Sequence, residues 1–389
     1  MRSTSLASRG ALTLSLAAVF GSACSAGSRV TSPQAGASTP PVASRPASAI
    51  YPEAGWRRAD PGDAGFDPVR LEKIALDAGK KGTNCLIVIR HGRLVAEWYW
   101  NGTDVTTSQD VFSATKSYAG ALVGIAEAEG RLSVDDKMSE YVPEWAGTRS
   151  EDVTIKNILS NDSGRHWDVA TDYRGLLRAT DRTGFSVGLG QDAAPGDVWA
   201  YNNSAVQTLD AVLTNATGQS PAAYAQDRLF GPLGMSRSRM TLDAAGNTTM
   251  FSGLHSTCED MARFGYLFLR KGNWRGKQIV PRRWIEAATG RPSQELNAAY
   301  GYLWWLNARG PVIDPLRPGT LRPGSTAQDR RLVDDAPHDM YWAIGFGGQI
   351  IQVDRGSDTV VVRLGRNVPG VRYGPAYTAE IVTTALVRP

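Results

Sequence analysis

The sequence predicts an α+β fold, an α/β sandwich in which strands from both ends of the chain form one antiparallel sheet flanked by helices. Two β-rich runs, CLIVIR at 85–90 and RLVAEWYW at 93–100, lie near the N-terminal end. Three more runs, YWAIG, QIIQVD and TVVVRLG, follow one another within 341–365. The long stretch between these ends has helical patterns instead. We therefore expect a mostly helical insertion and a cleft between the two parts.

The strand predictions rest on composition and on turn signals. β-branched and aromatic residues dominate the runs, and such runs bounded by turn residues are typical of strands. His91-Gly92 separates the first two runs as a two-residue hairpin signal, which predicts antiparallel pairing. Arg355-Gly356-Ser357-Asp358 forms a turn between the last two runs. A helix is predicted to follow them over 376–387.

Three helices of the insertion are predicted from apolar patterns that stop close to a glycine, which is common at helix ends. Residues 112–128 are apolar nearly all round, as expected of a fully buried helix. The other two helices are predicted over 204–217 and 261–270. The last of these is preceded by Ser256-x-x-Glu259, a capping-box pattern that indicates its start.

The N-terminus indicates export. Basic residues precede a mostly apolar run of ten residues at 11–20, and small residues follow up to Cys24, as in a signal peptide over 1–23. Ten apolar residues are too few to span a bilayer as a helix. Residues 24–49 are rich in Pro, Ser and Ala, which predicts a flexible tether. Ser22-Ala23-Cys24 resembles a bacterial lipoprotein cleavage site, so Cys24 is a candidate lipid anchor, with secretion as the alternative.

The remainder, 50–389, is predicted to be one folded domain. Its α/β part is expected at about 60–112 and 335–389, and its helix-rich part at about 117–334. With 42% hydrophobic and 21% charged residues, the chain has the composition of a folded soluble protein.

Charge and cysteine content exclude several functions. The 42 basic and 38 acidic residues give a net charge of +4, without a block of five like charges, so nucleic acid is not an expected partner. An oxidising compartment would permit a bridge between Cys85 and Cys258. Both lie in apolar segments, however, and a buried free thiol is the expected state. The few histidines lack ligand spacing, so we expect neither a metal nor a cofactor.

Ser113 and Lys116 are the first candidates for chemistry. Residues three apart share a face of a helix, and Ser113 would lie in the first turn, where unpaired N–H groups favour negative charge. Lys116 would lie one turn inward, where desolvation lowers its pKa towards neutrality and makes the amine a base. The alternative is an N-capping serine with a solvent-facing lysine.

A serine–lysine pair needs a further group that handles the proton of the leaving group, and a tyrosine can supply it. Tyr201-Asn202-Asn203 lies where a cleft wall is expected. A second match, Tyr99-Trp100-Asn101, is better explained as a strand that runs into a turn.

The stretch IGFGGQII at 344–351 is the third candidate element. Its glycines let the backbone approach a substrate, and an edge strand there could donate a second N–H to an oxyanion. An ordinary β-bulge is the alternative.

Ser113-x-x-Lys116, Tyr201-x-Asn203 and the glycine-rich stretch, in this order, resemble the serine β-lactamase and penicillin-binding-protein superfamily. The resemblance is greatest to its class C-like branch, with family VIII esterases and 6-aminohexanoate-dimer hydrolases, and it covers roughly 60–386. Three further stretches resemble that branch: SNDSG at 160–164, GLHSTCEDMARFG at 253–265 and YGYLWW at 300–305.

The resemblance implies a β-lactamase/transpeptidase-like fold and a role for each matched residue. Ser113 would be the acylated nucleophile, and Lys116 and Tyr201 would transfer protons. Asn203 would contact the substrate or Lys116. The backbone N–H groups of Ser113 and Gln349 would form the oxyanion hole.

The chain departs from the penicillin-recognising members at 346–348. Those members carry Lys-Thr-Gly, or a His, where this chain has Phe346-Gly347-Gly348, so a substrate carboxylate would meet no cation there. A neutral or differently charged ester or amide is therefore expected. Trp167, Tyr173 and Asp181 are further candidate substrate contacts, and Tyr173 and Asp181 resemble a pair that adapts this scaffold to amides.

Other side chains around the expected cleft are weaker candidates. Core packing is expected for at least half of the aromatic residues there, and surface positions are the alternative for the polar ones. They are Trp199, Trp304, Trp305, Trp342, Arg165 and His166.

Together these features predict an exported serine hydrolase that acts on small esters or amides through an acyl-enzyme, at a membrane if Cys24 is lipidated. The alternatives are a β-lactamase or D-alanyl peptidase, an acyltransferase, and an envelope-binding module without catalysis.

Overall fold

The computed structural model describes residues 49–320, 327–371 and 373–388, which belong to the unit Ser48–Pro389. The predicted signal peptide, Cys24 and the tether up to residue 48 lie outside the described residues. Among the described residues, no helix has the length and apolar character needed to cross a bilayer.

A six-stranded antiparallel sheet built from both ends of the chain forms the centre of the fold, as predicted. Its order is β2-β1-β13-β12-β11-β8. The strands are β1 Thr83–Arg90, β2 Arg93–Tyr99, β8 Trp305–Leu306, β11 Tyr341–Gly345, β12 Gln349–Asp354 and β13 Thr359–Gly365. The short β8, which pairs with β11 only at Tyr341 and Trp342, was not predicted.

The register explains why the strands have continuous apolar runs. Val88 pairs with Val361, and Ile351 pairs with Val362 and Ala343, so buried residues face one another across the sheet. Every residue of β12 and β13 is buried, as expected when both faces of a sheet are covered. The predicted hairpin is confirmed, since β1 and β2 are antiparallel and the turn residue His91 has a positive φ.

Helices cover both faces of the sheet. Gly265 packs against Ile351, whereas Thr378 bonds to Gln352, and adjacent residues of a strand point to opposite faces. The helices are α1 Pro68–Lys80, α2 Thr115–Ala128, α3 Ile155–Ser160, α4 Leu176–Arg178, α5 Arg182–Val187, α6 Asn203–Gln207, α7 Leu209–Thr217, α8 Pro221–Ala225, α9 Gly231–Leu233, α10 Cys258–Leu269, α11 Arg282–Thr289 and α12 Pro375–Glu380.

Small sheets accompany the helices of the insertion. One has the order β3-β5-β4, and two others are the pairs β6–β7 and β9–β10. Their strands are β3 Gln109–Asp110, β4 Arg239–Met240, β5 Leu254–Ser256, β6 Asn273–Trp274, β7 Lys277–Gln278, β9 Gly310–Val312 and β10 Gln328–Arg330.

Two helix predictions need correction. The helix predicted over 204–217 is divided at Thr208 into α6 and α7. The capping box predicted at Ser256 and Glu259 is wrong, because Ser256 lies in β5 and bonds to Ser238. Thr257 caps α10 instead, and its hydroxyl accepts a hydrogen bond from Asp260 N.

The expectation of free thiols is also wrong. Cys85 of β1 and Cys258 at the start of α10 form a disulfide that closes a loop of 173 residues. Because α10 packs across β1, the two Cα atoms lie only 6.4 Å apart. Two apolar segments that pack on one another can therefore bring a pair of cysteines together, which the sequence could not show.

Candidate active site

Ser113 lies in a 3₁₀ turn, Phe112–Ala114, which joins β3 to α2. The nucleophile candidate thus precedes the α-helix rather than occupying its first turn. Phe112 has a φ of 48°, and its N–H is held by Asp110 Oδ1 at 2.7 Å. A non-glycine residue in this region is strained and is typical of functional sites. No acceptor in the described part of the chain takes the N–H of Ser113.

Lys116 is buried, with 1% of its side chain exposed, and does not point into solvent. Its Nζ lies 3.0 Å from Ser113 Oγ, 2.6 Å from Asn203 Oδ1 and 2.9 Å from the carbonyl oxygen of Phe251. Burial lowers the pKa of Lys116 to about 7, against a smaller opposing effect of the Asp172 charge. A neutral amine is therefore well populated at neutral pH.

The three contacts fix where the lone pair of a neutral Lys116 points. The oxygens of Asn203 and Phe251 belong to carbonyl groups, which only accept hydrogen bonds. They take the two N–H groups, and the lone pair is left to face the Ser113 hydroxyl. This arrangement prepares Lys116 to accept the serine proton.

Tyr201 is the third predicted catalytic side chain, after Ser113 and Lys116. The side chains of Ser113 and Trp305 neighbour its hydroxyl and partly oppose the effect of burial on its pKa, and Lys116 Nζ lies 4.6 Å from the centre of its ring. Burial raises the pKa of Tyr201 well above its ordinary value, so the phenol keeps its proton. Trp167 Nε1 donates to the carbonyl oxygen of Tyr201 at 3.0 Å and so holds this loop. The structure thus brings the three predicted catalytic side chains together.

The side-chain amide of Asn203 contacts Lys116. It is the first residue of α6, and its loop is fixed by Asn202, whose Oδ1 accepts from Ala205 N at 2.7 Å. While Oδ1 of Asn203 faces Lys116, Nδ2 donates to Asp172 Oδ2 at 2.8 Å. Both ends of the amide are therefore occupied.

The glycine-rich stretch forms the turn between β11 and β12. Gly345 lies against the turn that carries Ser113, since a Cβ there would meet Val111 O and Ala114 N. Phe346 follows, with 62% of its surface exposed, and its ring contacts that of Phe112 edge to face at 5.7 Å. No acceptor in the described ranges takes the N–H of Phe346. Gly347 and Gly348, both with positive φ, complete the turn.

The structure does not place Gln349 at the site. Gln349 begins β12 with 1% of its surface exposed, and it is paired in the ladder with Gly345. Its side-chain Nε2 donates to the carbonyl oxygens of Gly365 and Phe346. The physical reason is the length of the turn, which places Phe346, three residues earlier, beside Ser113.

A cavity of about 530 Å³ opens beside Ser113. Its rim carries three exposed apolar side chains, those of Phe112, Leu177 and Phe346. Polar groups also line it, namely Asp110, Asp172, Tyr173, Arg182, Asn203, Thr241, Thr249, Ser252 and His255. Tyr173 is half-buried, and burial raises its pKa to about 12. Of the predicted substrate contacts, Asn203, Tyr173 and Phe346 line this cavity.

A second cavity, of about 740 Å³, includes Trp305 and Ile344 in its lining. Trp305 touches the ring of Tyr201 at 5.5 Å, and Ile344 lies two residues before Phe346. The second cavity therefore shares Trp305 with the surroundings of Tyr201.

The other predicted contact residues have roles in the fold, such as helix capping and core packing. Asp181 caps α5 through Gly184 N at 2.7 Å and does not line the Ser113 cavity. Trp199, Trp304 and Trp342 are buried in the core, as expected for part of the aromatic set. Arg165 is buried over the ring of Trp145, and His166 lies between Asp168 and Asp192. No group of metal-ligating side chains occurs among the described residues.

Comparison with known proteins assigns the family. The family model named Beta-lactamase matches residues 75–382, which is most of the chain. The chain belongs to the beta-lactamase family. This agrees with the predicted superfamily of serine hydrolases and with the site described above.

Relatives within the beta-lactamase family share modest identity with the chain. The 6-aminohexanoate-dimer hydrolase of Paenarthrobacter ureafaciens is 25% identical over 81% of this chain and 82% of its own length. Protein flp of Staphylococcus aureus is 26% identical over 39% of this chain and 33% of its own.

Solved structures show the same beta-lactamase-like fold. A Bacillus anthracis protein assigned to the 6-aminohexanoate-dimer hydrolases matches with a TM-score of 0.61, at 22% identity and 76% of each chain. A Bacteroides dorei protein assigned to the beta-lactamases matches with a TM-score of 0.67, at 18% identity, over 83% of this chain and all of the other.

One side chain of this beta-lactamase family site was not predicted. Asp172 lies in a π-helical turn, Thr171–Gly175, and lines the cavity beside Asn203. The two residues are 31 positions apart in sequence, and no spacing rule links them. Neighbouring Tyr173 was predicted by analogy, but the sequence offered no signal for the carboxylate.

Proposed function

We propose that the protein hydrolyses esters or amides through an acyl-enzyme on Ser113. The observation that carries the proposal is the position of Lys116, whose Nζ lies 3.0 Å from Ser113 Oγ while its other two contacts are carbonyl oxygens. The family assignment and the relative named as a 6-aminohexanoate-dimer hydrolase support a hydrolase.

The reaction begins when neutral Lys116 takes the proton of Ser113 and Oγ bonds to the substrate carbonyl carbon. The N–H groups of Ser113 and Phe346, for which the described chain provides no acceptor, bind the resulting oxyanion. The bond to the leaving group then breaks. Tyr201 gives its proton to the leaving oxygen or nitrogen and regains one from Lys116. Water attacks the acyl-enzyme and releases the acid and Ser113.

The proton donor indicates which part of the substrate enters which cavity. The leaving group must depart beside Tyr201, whose ring contacts Trp305 in the 740 Å³ cavity. The acyl group then occupies the 530 Å³ cavity, under the apolar rim of Phe112, Leu177 and Phe346. Because residues 343–348 hold no cation of the kind that penicillin-recognising relatives place in this stretch, we propose an apolar acyl group rather than a β-lactam carboxylate next to residue 346.

We also propose that the protein is exported and works in the cell envelope, held at the membrane by a lipid on Cys24 or released. The signal-peptide pattern of 1–23 supports export. The Cys85–Cys258 disulfide supports it too, because disulfides persist in oxidising compartments.

Intact-mass measurement on residues 25–389 tests the nucleophile. Wild type mixed with a short 4-nitrophenyl ester should gain one acyl mass and turn over, and Ser113→Ala should lose both, with at least about a thousandfold lower kcat. Ser108→Ala, which removes an exposed hydroxyl outside the cavity, is the matched control. Hydrolysis by Ser113→Ala at the wild-type rate would refute the proposal, and turnover of a cephalosporin instead of the ester would favour a β-lactamase.

A further inference from the structure

Asp172 is a buried carboxylate beside the catalytic group. Only 1% of its surface is exposed. Its Oδ2 accepts from Asn203 N at 3.0 Å and from Asn203 Nδ2 at 2.8 Å. Its Oδ1 accepts from Ser204 N at 2.7 Å and from Ser204 Oγ at 2.9 Å. Burial raises the pKa of Asp172, whereas the four donors that converge on its two oxygens favour the ionised carboxylate.

Two of these four bonds complete the start of α6. The N–H groups of Asn203 and Ser204 belong to the first helical turn and lack partners within the helix. Asn202 already caps the third residue, Ala205. The bond to Asn203 Nδ2 adds nothing to this capping. This bond fixes the side-chain amide of Asn203 and does not stabilise the helix.

That extra bond determines the orientation of the amide. A carboxylate accepts but cannot donate, so the NH₂ group of Asn203 must face Asp172. The oxygen of the amide must then face Lys116, where it lies 2.6 Å from Nζ. A reversed amide would offer Lys116 an N–H instead and would draw its lone pair away from Ser113.

We propose that Asp172 is a positioning residue that, through Asn203, directs the lone pair of Lys116 at the Ser113 hydroxyl and stabilises the ammonium formed when the proton is transferred. This inference rests on the proposed acyl-enzyme function. It adds a fourth member, Asp172, to the chain of contacts Ser113–Lys116–Asn203.

The charge of Asp172 has a defined effect on the pH dependence. The groups around Lys116 are the Ser113 hydroxyl, the Tyr201 ring, the Asn203 amide and the Phe251 carbonyl, none of which is charged at neutral pH. Further charged or titratable groups of the cavity are Asp110, Tyr173, Arg182 and His255. The negative charge of Asp172 raises the pKa of Lys116 against the lowering by burial. Without that charge the amine becomes neutral at a lower pH.

The test is the pH profile of kcat/KM for a neutral ester, measured for wild type and Asp172→Asn. Activity requires the neutral amine, so the wild-type profile rises with pH through about 7. In Asp172→Asn the rise should move down by about one pH unit, as expected when a nearby opposite charge is removed. The maximum should fall about tenfold or more because the amide is free to reverse. A rise that stays at the wild-type pH overturns the proposal, whatever happens to the rate.

Asp210→Asn is the matched control. Asp210 is a buried carboxylate that accepts from Thr183 and Thr248 and has no contact with Lys116 or Asn203. Its replacement should lower thermal stability without moving the rise. If Asp172→Asn does not fold, Asn203→Ala carries the test. Asn203→Ala leaves the bonds of Asp172 to Ser204 and should also lower the pH at which kcat/KM rises. If that pH is the same in Asn203→Ala as in wild type, the proposal is equally overturned.

Failure of this inference can be distinguished from failure of the proposed function. If wild type forms no acyl adduct on Ser113 with any ester, the function is wrong and no profile exists to compare. If wild type forms the adduct and the profile of Asp172→Asn matches it, only the positioning role is wrong.

Discussion

Lys116 and Tyr201 lie in the same buried environment, and this shifts their pKa values in opposite directions. Burial disfavours the charged form of each group, which is the ammonium of lysine and the phenolate of tyrosine. The pKa of Lys116 is lowered to about 7, and that of Tyr201 is raised. At neutral pH this leaves a neutral base beside a protonated acid. Such a separation of roles is what proton transfer in both directions needs.

Tyr201→Phe tests the acid role, because it removes the hydroxyl and keeps the ring over which Lys116 lies. An alkyl ester, whose alkoxide leaving group needs a proton, should lose about a hundredfold or more in kcat/KM. A 4-nitrophenyl ester should lose much less, because its leaving group departs as an anion near neutral pH. The measurement is the ratio of kcat/KM for the two esters with a common acyl group. Equal losses would assign Tyr201 to another task, such as orienting Ser113.

At the scale of elements, the site is made where two turns meet. The turn before α2 carries Ser113, and the turn after β11 carries Phe346. Buried side chains brace the second turn, since Gln349 bonds to the carbonyl oxygen of Phe346 and Arg363 bonds to those of Gly347 and Gly348. Gln349 therefore supports the proposed oxyanion donor, although its own N–H is not placed at the site. The sequence indicated the correct stretch but not which residue of it faces Ser113.

Gly345→Ala should separate these two turns. A Cβ at residue 345 would lie 2.1 Å from Val111 O and 3.2 Å from Ala114 N, both backbone atoms that cannot move independently of Ser113. We expect kcat for an ester to fall about tenfold to a hundredfold, with folded protein still obtained. Gly356→Ala, whose Cβ would have Asp354 Oδ1 as its nearest neighbour at 3.6 Å, is the control and should retain activity. Unchanged kcat in Gly345→Ala would show that the spacing of the two turns does not limit catalysis.

At the scale of the whole molecule, the central sheet could be predicted because strands covered on both faces are continuous apolar runs with turn residues between them. The runs at 341–345, 349–354 and 359–365 match β11, β12 and β13 residue for residue. Contacts between distant segments were less predictable. β8 has only two residues, and Asp172 meets Asn203 through a fold that brings a π-helical turn against α6. Local pattern therefore located Ser113, Lys116 and Tyr201, whereas partners fixed by tertiary packing had no local signal.

The Cys85–Cys258 bridge is such a tertiary contact, and it permits a test of both stability and compartment. It joins β1 to α10, and the loop of 173 residues that it closes contains Ser113, Lys116, Asp172 and Tyr201. Closing a loop this long should stabilise the fold by about 2–5 kcal/mol, chiefly by restricting the unfolded chain. Neither cysteine is among the residues that line the Ser113 cavity. The bridge should therefore affect stability and leave the chemistry unchanged.

Reduction and removal of the disulfide test its effects on stability and on catalysis separately. Protein purified from an oxidising compartment should gain 2 Da on reduction after unfolding, because two thiols form from one disulfide. Cys85→Ala/Cys258→Ala should unfold at a lower urea concentration, with a free energy of unfolding lower by the amount given above, yet should keep the wild-type kcat for a neutral ester at a temperature well below its Tm. The same free energy of unfolding in the double variant and in wild type would contradict a stabilising bridge. Protein that retains two free thiols after passage through an oxidising compartment would remove the support that the disulfide gives to export.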